Sequence, residues 1–371
     1  MRILIFTWKD LAHPAAGGAE VFTHEVARHW VAEGHYVVLL TSWAPGLSEE
    51  SECDGVRIVR RGGKHSVYKE ARRFYIEEGR GKFDLVIDQI NTRPFSCPRF
   101  VTDAPVIAIA FQAAREVWFY ETPLPIALVG RYLLEPWWLR RYRNVLTVTL
   151  SSSSKRSLEN YGLRRVVVIP PGFTSSAPGR RSPVRETSPT IIYVGRLTKS
   201  KRPHHVLRAF AKVRRVLPDA QLWMVGTGGK SKELRRKAPP GVIFFGRIDE
   251  SVKEDLLAKA HVHVMASVRE GWGLAVTEAA SVGTPTVAYA VDGLRDSVPV
   301  SGGILTAPKP KALAGTILNL VQRGVSELEV RPAGVLPWNE VASSLLDLAE
   351  AAVDQQRRSG QCDLRGLPLS S

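Results

Sequence analysis

Glu270-Gly271-Trp272-Gly273-Leu274-Ala275-Val276-Thr277-Glu278 follows a short β-branched run at 262–265 and opens a helical pattern. Two glycines at a strand-to-helix junction let the backbone come close to a ligand. The free N–H groups and positive dipole end of the helix that follows suit a phosphate or sugar hydroxyls. Glu270 lies in the loop before that helix, placed to accept hydrogen bonds from a sugar, and Glu278 lies further along, placed to accept them from a ribose. A capped helix with two solvated acids is the plainer alternative, and the glycines between the acids at a strand end weigh against it.

Working outward, the same strand-then-helix unit repeats along the whole chain, the pattern of parallel sheets covered by helices. Apolar runs at 3–6, 36–41, 56–60, 85–88, 106–110, 145–149 and 166–169 read as one sheet buried on both faces. Runs at 191–194, 222–225, 242–245, 262–265 and 286–289 read as a second. Between them the chain passes through Pro170-Pro171-Gly172 and a stretch rich in Ser, Pro and Arg that has little to bury. The fold expected is α/β with two Rossmann-like domains. Their limits are 1–171, a linker at 172–189, 190–337, a C-terminal helix at 338–356 positioned to cross back to the first domain, and a frayed tail at 357–371. Val341, Leu345, Leu348 and Ala352 form the apolar stripe of that helix.

A chain of 371 residues with 44% hydrophobic and 23% charged residues fits two ordinary globular domains. Its longest apolar stretch, at 124–134, is broken by Arg131 and falls short of the ~20 residues a spanning helix needs. The first residues read as a strand rather than a signal peptide, so the mature chain is expected to start there. Cys53, Cys97 and Cys362 are few and scattered, suggesting neither a disulfide framework nor a zinc site and fitting a cytoplasmic protein. The net charge of +15 calls for an acidic partner: phosphate, anionic lipid or nucleic acid. With no zinc finger or base-stacking motif, nucleic acid is the least favoured of these.

Three further segments carry chemistry. Gly17-Gly18-Ala19-Glu20 follows the first strand and starts a helix, an anion-binding turn or merely a tight one. Arg196, in Tyr193-Val194-Gly195-Arg196-Leu197, and Lys201 could hold a diphosphate, one as a fork and the other as a point charge; two surface cations fit the spacing equally well. Beyond Arg202, the cations Arg208, Lys212, Arg214 and Arg215 read as a solvated helix face. The glycine turn at 225–231 fails the phosphate-loop spacing because Met224 stands where a glycine is required. No two aspartates stand two apart, so the metal clamp of some sugar transferases is missing and metal-free chemistry is expected. Aromatics and arginines mix from Val117 to Arg143, a composition suited to a membrane interface or to buried helix packing.

Taken in order, Gly17-Gly18-Ala19-Glu20, Pro170-Pro171-Gly172, Gly195-Arg196-Leu197 with Lys201, Glu270 to Glu278, Gly283-Thr284-Pro285 and Asp292-Gly293-Leu294-Arg295-Asp296 resemble the GT-B retaining glycosyltransferases of family 4, also called glycosyl transferases group 1. The resemblance implies transfer of a hexose-type sugar, with retention, from a nucleotide-sugar donor, UDP- or GDP-linked, to a glycan or lipid-linked acceptor. No cofactor beyond that co-substrate is implied. By it, Arg196 and Lys201 neutralise the donor diphosphate, and Glu270 with the backbone amides of Gly271, Trp272, Gly273 and Leu274 grips the sugar. Glu278 holds the ribose; Gly17 and Gly18 approach from the opposite domain; Phe245, Gly246 and Arg247 lie by the base. On the acceptor side stand Phe111, Gln112 and Arg115. Relatives often place a histidine where this chain has Phe111, which cannot polarise a hydroxyl, so a catalytically impaired nucleotide-sugar-binding protein is the competing reading. An anionic membrane surface is a further expected partner, through the 117–143 segment.

Overall fold

The computed structural model describes residues 1–173, 184–323, 330–332 and 334–364. Two sheets account for the strands. The first contains β1 (Arg2–Phe6), β2 (Tyr36–Thr41), β3 (Glu50–Cys53), β4 (Val56–Arg60), β5 (Leu85–Ile90), β6 (Val106–Ala110), β7 (Leu146–Thr149) and β8 (Val166–Val168), in the order β3-β4-β2-β1-β5-β6-β7-β8. All neighbours are parallel except β3 with β4. The second contains β9 (Thr190–Val194), β10 (Gln221–Val225), β11 (Val242–Gly246), β12 (Val262–Met265), β13 (Thr286–Tyr289) and β14 (Ile304–Thr306), in the order β11-β10-β9-β12-β13-β14, and its pairs are parallel.

Two strands lie outside the sequence expectation. Glu50-Ser51-Glu52-Cys53 has no apolar alternation because β3 is an exposed edge strand held antiparallel to β4. β14 has only three residues, after Gly302-Gly303, too short for a period to show.

The first core joins one face of the first sheet to helix Gly18–Ala32 and to the C-terminal helix Trp338–Leu364. Trp30 Nε1 donates to the Ala342 carbonyl at 2.8 Å, and Trp338 packs edge-on against Phe22 at 5.8 Å. The buried stripe is broader than expected, adding Ala342, Leu346, Ala349 and Val353 to Val341 and Leu345, because the helix packs into one core with both helix Gly18–Ala32 and the sheet. It also runs to Leu364, past the expected end at 356, so residues 357–364, read as tail, are helical; 365–371 lie outside the described residues. Phe173 bridges to Pro337, so the strands of chain leaving and re-entering the first domain run side by side. Gly172 is needed there: a methyl group on it would meet the Trp338 Cα at 2.8 Å. Of the expected linker, 174–183 lie outside the described residues. Arg185 is already docked on the second sheet, its guanidinium donating to the carbonyls of Ala260 and Gly283.

Candidate functional site

The loops that leave the carboxyl ends of the second sheet's strands are tied to one another. Gly195 N donates to Val225 O at 3.0 Å, Leu197 N to Thr227 O at 2.8 Å, and Gly226 N to Gly246 O at 2.7 Å. Open α/β sheets bind ligands at the carboxyl ends of strands where the strand order reverses, here between β9 and β12. Arg196 projects from this edge, exposed, and the Tyr193 hydroxyl holds its carbonyl at 3.0 Å. The Lys201 ammonium donates to Glu270 Oε1, and Ser267 Oγ donates to the same oxygen at 2.6 Å. Glu270 N donates to Asp292 O at 3.1 Å, fixing the loop on which the carboxylate sits. Lys201 and Glu270 are thus brought together, and the remaining donors of the ammonium are free for an anion.

Gly273, at φ +90°, turns the chain into helix Leu274–Ser281, as the glycine reading requires. Glu278, on this helix, pairs with Lys253 at 2.8 Å. Burial opposes the charge on Lys253, yet Glu278 and Glu250 outweigh it and raise its pKa. Phe245 packs edge-on against Trp223 at 5.8 Å, leaving Gly246 and exposed Arg247 at the loop; Arg247 reaches the Pro14 carbonyl across the cleft at 3.4 Å.

The first domain faces this edge with its own strand ends. A methyl group on Gly17 would lie 4.0 Å from Arg196 Nε, and one on Gly18 would lie 3.0 Å from Leu274 Cδ1. Sequence reading missed what holds that loop. Lys9, buried just past β1, pairs with Glu20 at 3.2 Å and donates to Ala15 O at 2.6 Å, while Gly17 N donates to Glu20 at 2.6 Å. Burial, with Arg196 adding to it against the pull of Glu20, lowers the Lys9 pKa. Next to it, Asp10 and Arg60 form a buried pair at 2.6 Å. Two charged residues directly after a strand end were the available signal.

Two of the expected site residues turn their side chains into the core. Trp272 is 5% exposed in the first domain's core, its indole N–H donating to Thr277 Oγ1 at 2.9 Å, so its side chain packs the domains together. Phe111 lies in the same core, edge-on to Phe22 at 5.5 Å. Its carbonyl fills the space where Gly271 would carry a side chain, with a Cβ there 2.5 Å from the oxygen. Gln112 remains available: its Oε1 is buried without a partner, as is Nδ2 of Asn91, and these residues follow the paired ends Ala110 and Ile90 of neighbouring strands. Arg115, at φ +44°, is held through its backbone N–H by the buried Glu135 carboxylate at 3.0 Å, and its guanidinium pairs with Glu116. Burial raises the Glu135 pKa against the pull of those backbone donors.

The two domains are latched. Ser153 Oγ donates to Asp296 and accepts from Gly293 N at 2.7 Å; Arg269 pairs with Asp292 at 2.8 Å and crosses to Ser157 Oγ at 3.2 Å and Glu116 at 3.3 Å. The cations beyond Arg202 do not join this cleft: Arg208, Lys212 and Arg215 line, with Lys309 and Lys311, a cavity of about 460 Å³ between helices Pro203–Val216 and Pro310–Arg323.

Residues 16–176 match the family described as Glycosyltransferase Family 4, and residues 188–323 match Glycosyl transferases group 1. The glycogen synthase of Mycobacterium tuberculosis is 24% identical, the alignment covering 96% of each chain. A GDP-mannose-dependent alpha-(1-6)-phosphatidylinositol dimannoside mannosyltransferase of the same species is 26% identical over 90% of this chain and 92% of that one. Sucrose-phosphate synthase from Thermosynechococcus elongatus shares the fold, with a TM-score of 0.71 at 18% identity over 99% of this chain and 100% of that one. The fold is GT-B, and the chain belongs to the family 4 glycosyltransferases, group 1. It is a glycosyltransferase; the reading as an impaired binding protein, which rested on Phe111, is not favoured.

Proposed function

We propose that this family 4 glycosyltransferase moves a hexose-type sugar, with retention, from a UDP- or GDP-linked donor held by its second domain to a glycan or lipid-linked acceptor held by its first. The observation that carries the reading is the Lys201–Glu270–Ser267 knot beside Arg196, opposite Gly17. As the glycosidic bond breaks, negative charge gathers on the leaving diphosphate. Arg196 and Lys201, positioned before the reaction, stabilise that charge where it forms. Glu270 and the amides of Gly271 to Leu274 orient the sugar, Glu278 holds the ribose, and Gly246 and Arg247 border the base. Trp272 contributes its backbone and the packing that shapes the turn. Closure through the Ser153–Asp296 and Arg269–Glu116 contacts keeps water from the activated sugar. The buried amides of Asn91 and Gln112 are the polar groups offered to the acceptor.

A lipid-linked acceptor is favoured by the surface of the 124–137 segment, which Glu135 ties to the backbone of Ala114 and Arg115. Leu124 and Leu133 are 63% and 64% exposed, with Ile126, Tyr132 and Trp137 exposed beside them. Arg131 lies over the Tyr132 ring at 5.3 Å and Arg141 over Trp137 at 3.4 Å. Apolar and aromatic tips set among arginines suit the interface of an anionic bilayer. No helix among the described residues is long and apolar enough to cross a membrane. The test is a transfer assay with UDP- and GDP-linked hexoses against glycan acceptors and lipid acceptors in vesicles. Nucleoside diphosphate release that depends on acceptor, with the donor's anomeric configuration kept in the product by NMR, is expected. An inverted product, or no transfer from any of these donors, contradicts it.

A further inference from the structure

Away from the cleft residues, the first domain assembles three unlike donors on one spot. The β3–β4 hairpin turns at Asp54 and Gly55, both with positive φ (+50° and +76°), the two-residue Asp-Gly turn that matches the twist of paired strands. The turn is pressed on helix Gly18–Ala32: a methyl group on Gly55 would lie 2.6 Å from Val31 Cγ1. From that helix His24, buried, meets the turn. Its Nε2 is 2.6 Å from Asp54 Oδ2 and 3.8 Å from Cys53 Sγ, and Sγ is 3.8 Å from the same Oδ2.

Those are the separations of a metal site nearly assembled. With zinc bonds of about 2.0–2.3 Å to N, O and S in a tetrahedral arrangement, the ligand atoms stand roughly 3.4–3.6 Å apart. Both sulfur distances are already close to this, and the imidazole and carboxylate need to part by less than about 1 Å to admit an ion. The donor set of imidazole, thiolate and carboxylate suits a borderline-soft divalent ion rather than magnesium or calcium. Two of the three residues are exposed, so the ion has a path in and a fourth position open to water. A plain ion pair between His24 and Asp54 accounts for their contact, but it leaves the thiol at the same vertex unexplained.

We propose that His24, Cys53 and Asp54 bind one zinc-class divalent ion, the thiol losing its proton to solvent on binding, and that the ion clamps the hairpin to the helix whose first turn carries Gly18. This does not depend on the donor and acceptor assignments above. The full-length protein, reduced and freed of metal by a chelator, is titrated anaerobically with Co²⁺. The expected result is one equivalent bound with a thiolate-to-cobalt charge-transfer band that Zn²⁺ abolishes. Cys53→Ser loses the band, and Asp54→Asn binds at least about tenfold more weakly, while Cys362→Ser keeps both band and affinity. A band that survives in Cys53→Ser, or no saturable binding to the unmutated protein, overturns the proposal.

Discussion

The two sheets present their strand ends to one cleft with opposite chemistry. The second offers charges in two short segments, Arg196 with Lys201 and Glu270 with Glu278, on loops tied by backbone hydrogen bonds and the helix that follows. The first offers a loop bound internally by Lys9 and Glu20, a core at Phe111 into which Trp272 of the second domain packs, and two unpartnered amides, Asn91 and Gln112. A diphosphate is recognised by fixed positive charge whatever sugar it carries, whereas an acceptor is recognised by shape and neutral hydrogen bonds. On the function proposed above, the side carrying Arg196 and Lys201 takes the donor and the side offering the two amides takes the acceptor.

Variants on the two sides should separate accordingly. The largest effect belongs to the diphosphate cations: Arg196→Ala or Lys201→Ala should lower kcat by about 100–1000-fold, the scale of removing a donor aimed at developing charge. A raised donor KM with kcat unchanged at saturating donor would assign these residues to uniform binding instead. Closure comes next. In Gly271→Ala the new methyl sits 2.5 Å from the Phe111 carbonyl oxygen, a main-chain atom that cannot step aside, so the domains should rest further apart. Small-angle scattering should give a larger radius of gyration, with kcat/KM down roughly tenfold or more, the scale on which small misplacements disturb attack geometry. An unchanged radius would show that the two surfaces do not meet in solution. Smaller still, Gln112→Ala and Asn91→Ala should raise the acceptor KM and leave donor binding intact; a loss of donor affinity would erase the division.

The smallest effect is one of pH. His263, fully buried in β12 with Nδ1 2.9 Å from Thr286 Oγ1, has its pKa pushed down to about 3 by burial, with Lys253 adding to it. The unfolded chain takes up this proton first, so as pH falls from about 6.5 toward 3 the folded state loses stability. Asp88, buried in β5 and accepting from Phe95 N, Cys97 N and the Tyr142 hydroxyl, is pushed upward by burial and responds in the opposite sense. Between pH 7 and 4 the melting temperature of the unmutated protein should fall more than that of His263→Gln. Parallel curves would mean that the histidine does not stay neutral when folded.

How much of this the sequence disclosed follows from how local each interaction is. Glycines and charges at strand ends are readable because backbone geometry within a few residues decides their use, and Arg196, Lys201 and Glu270 lie within such segments. The sequence assigns the Trp272 amide to the donor; only the packing of the other domain shows that its side chain fills a core. The Ser153–Asp296 and Arg269–Glu116 contacts join residues more than a hundred positions apart, and no local period announces them. Lys9 and Glu20 fall between: the charges stood in view, but nothing local said that they would meet.

The most direct test is a thermal-shift series with UDP, GDP, ADP, dTDP and their sugar conjugates on the unmutated protein and on Arg196→Ala, Glu278→Ala and Gln112→Ala. Stabilisation by one nucleotide family, lost in the first two variants and kept in the third, is the result predicted, since a ligand that binds the folded state alone raises its stability. Stabilisation that survives both Arg196→Ala and Glu278→Ala, or that disappears with Gln112→Ala, would contradict the assignment of the donor to the second domain.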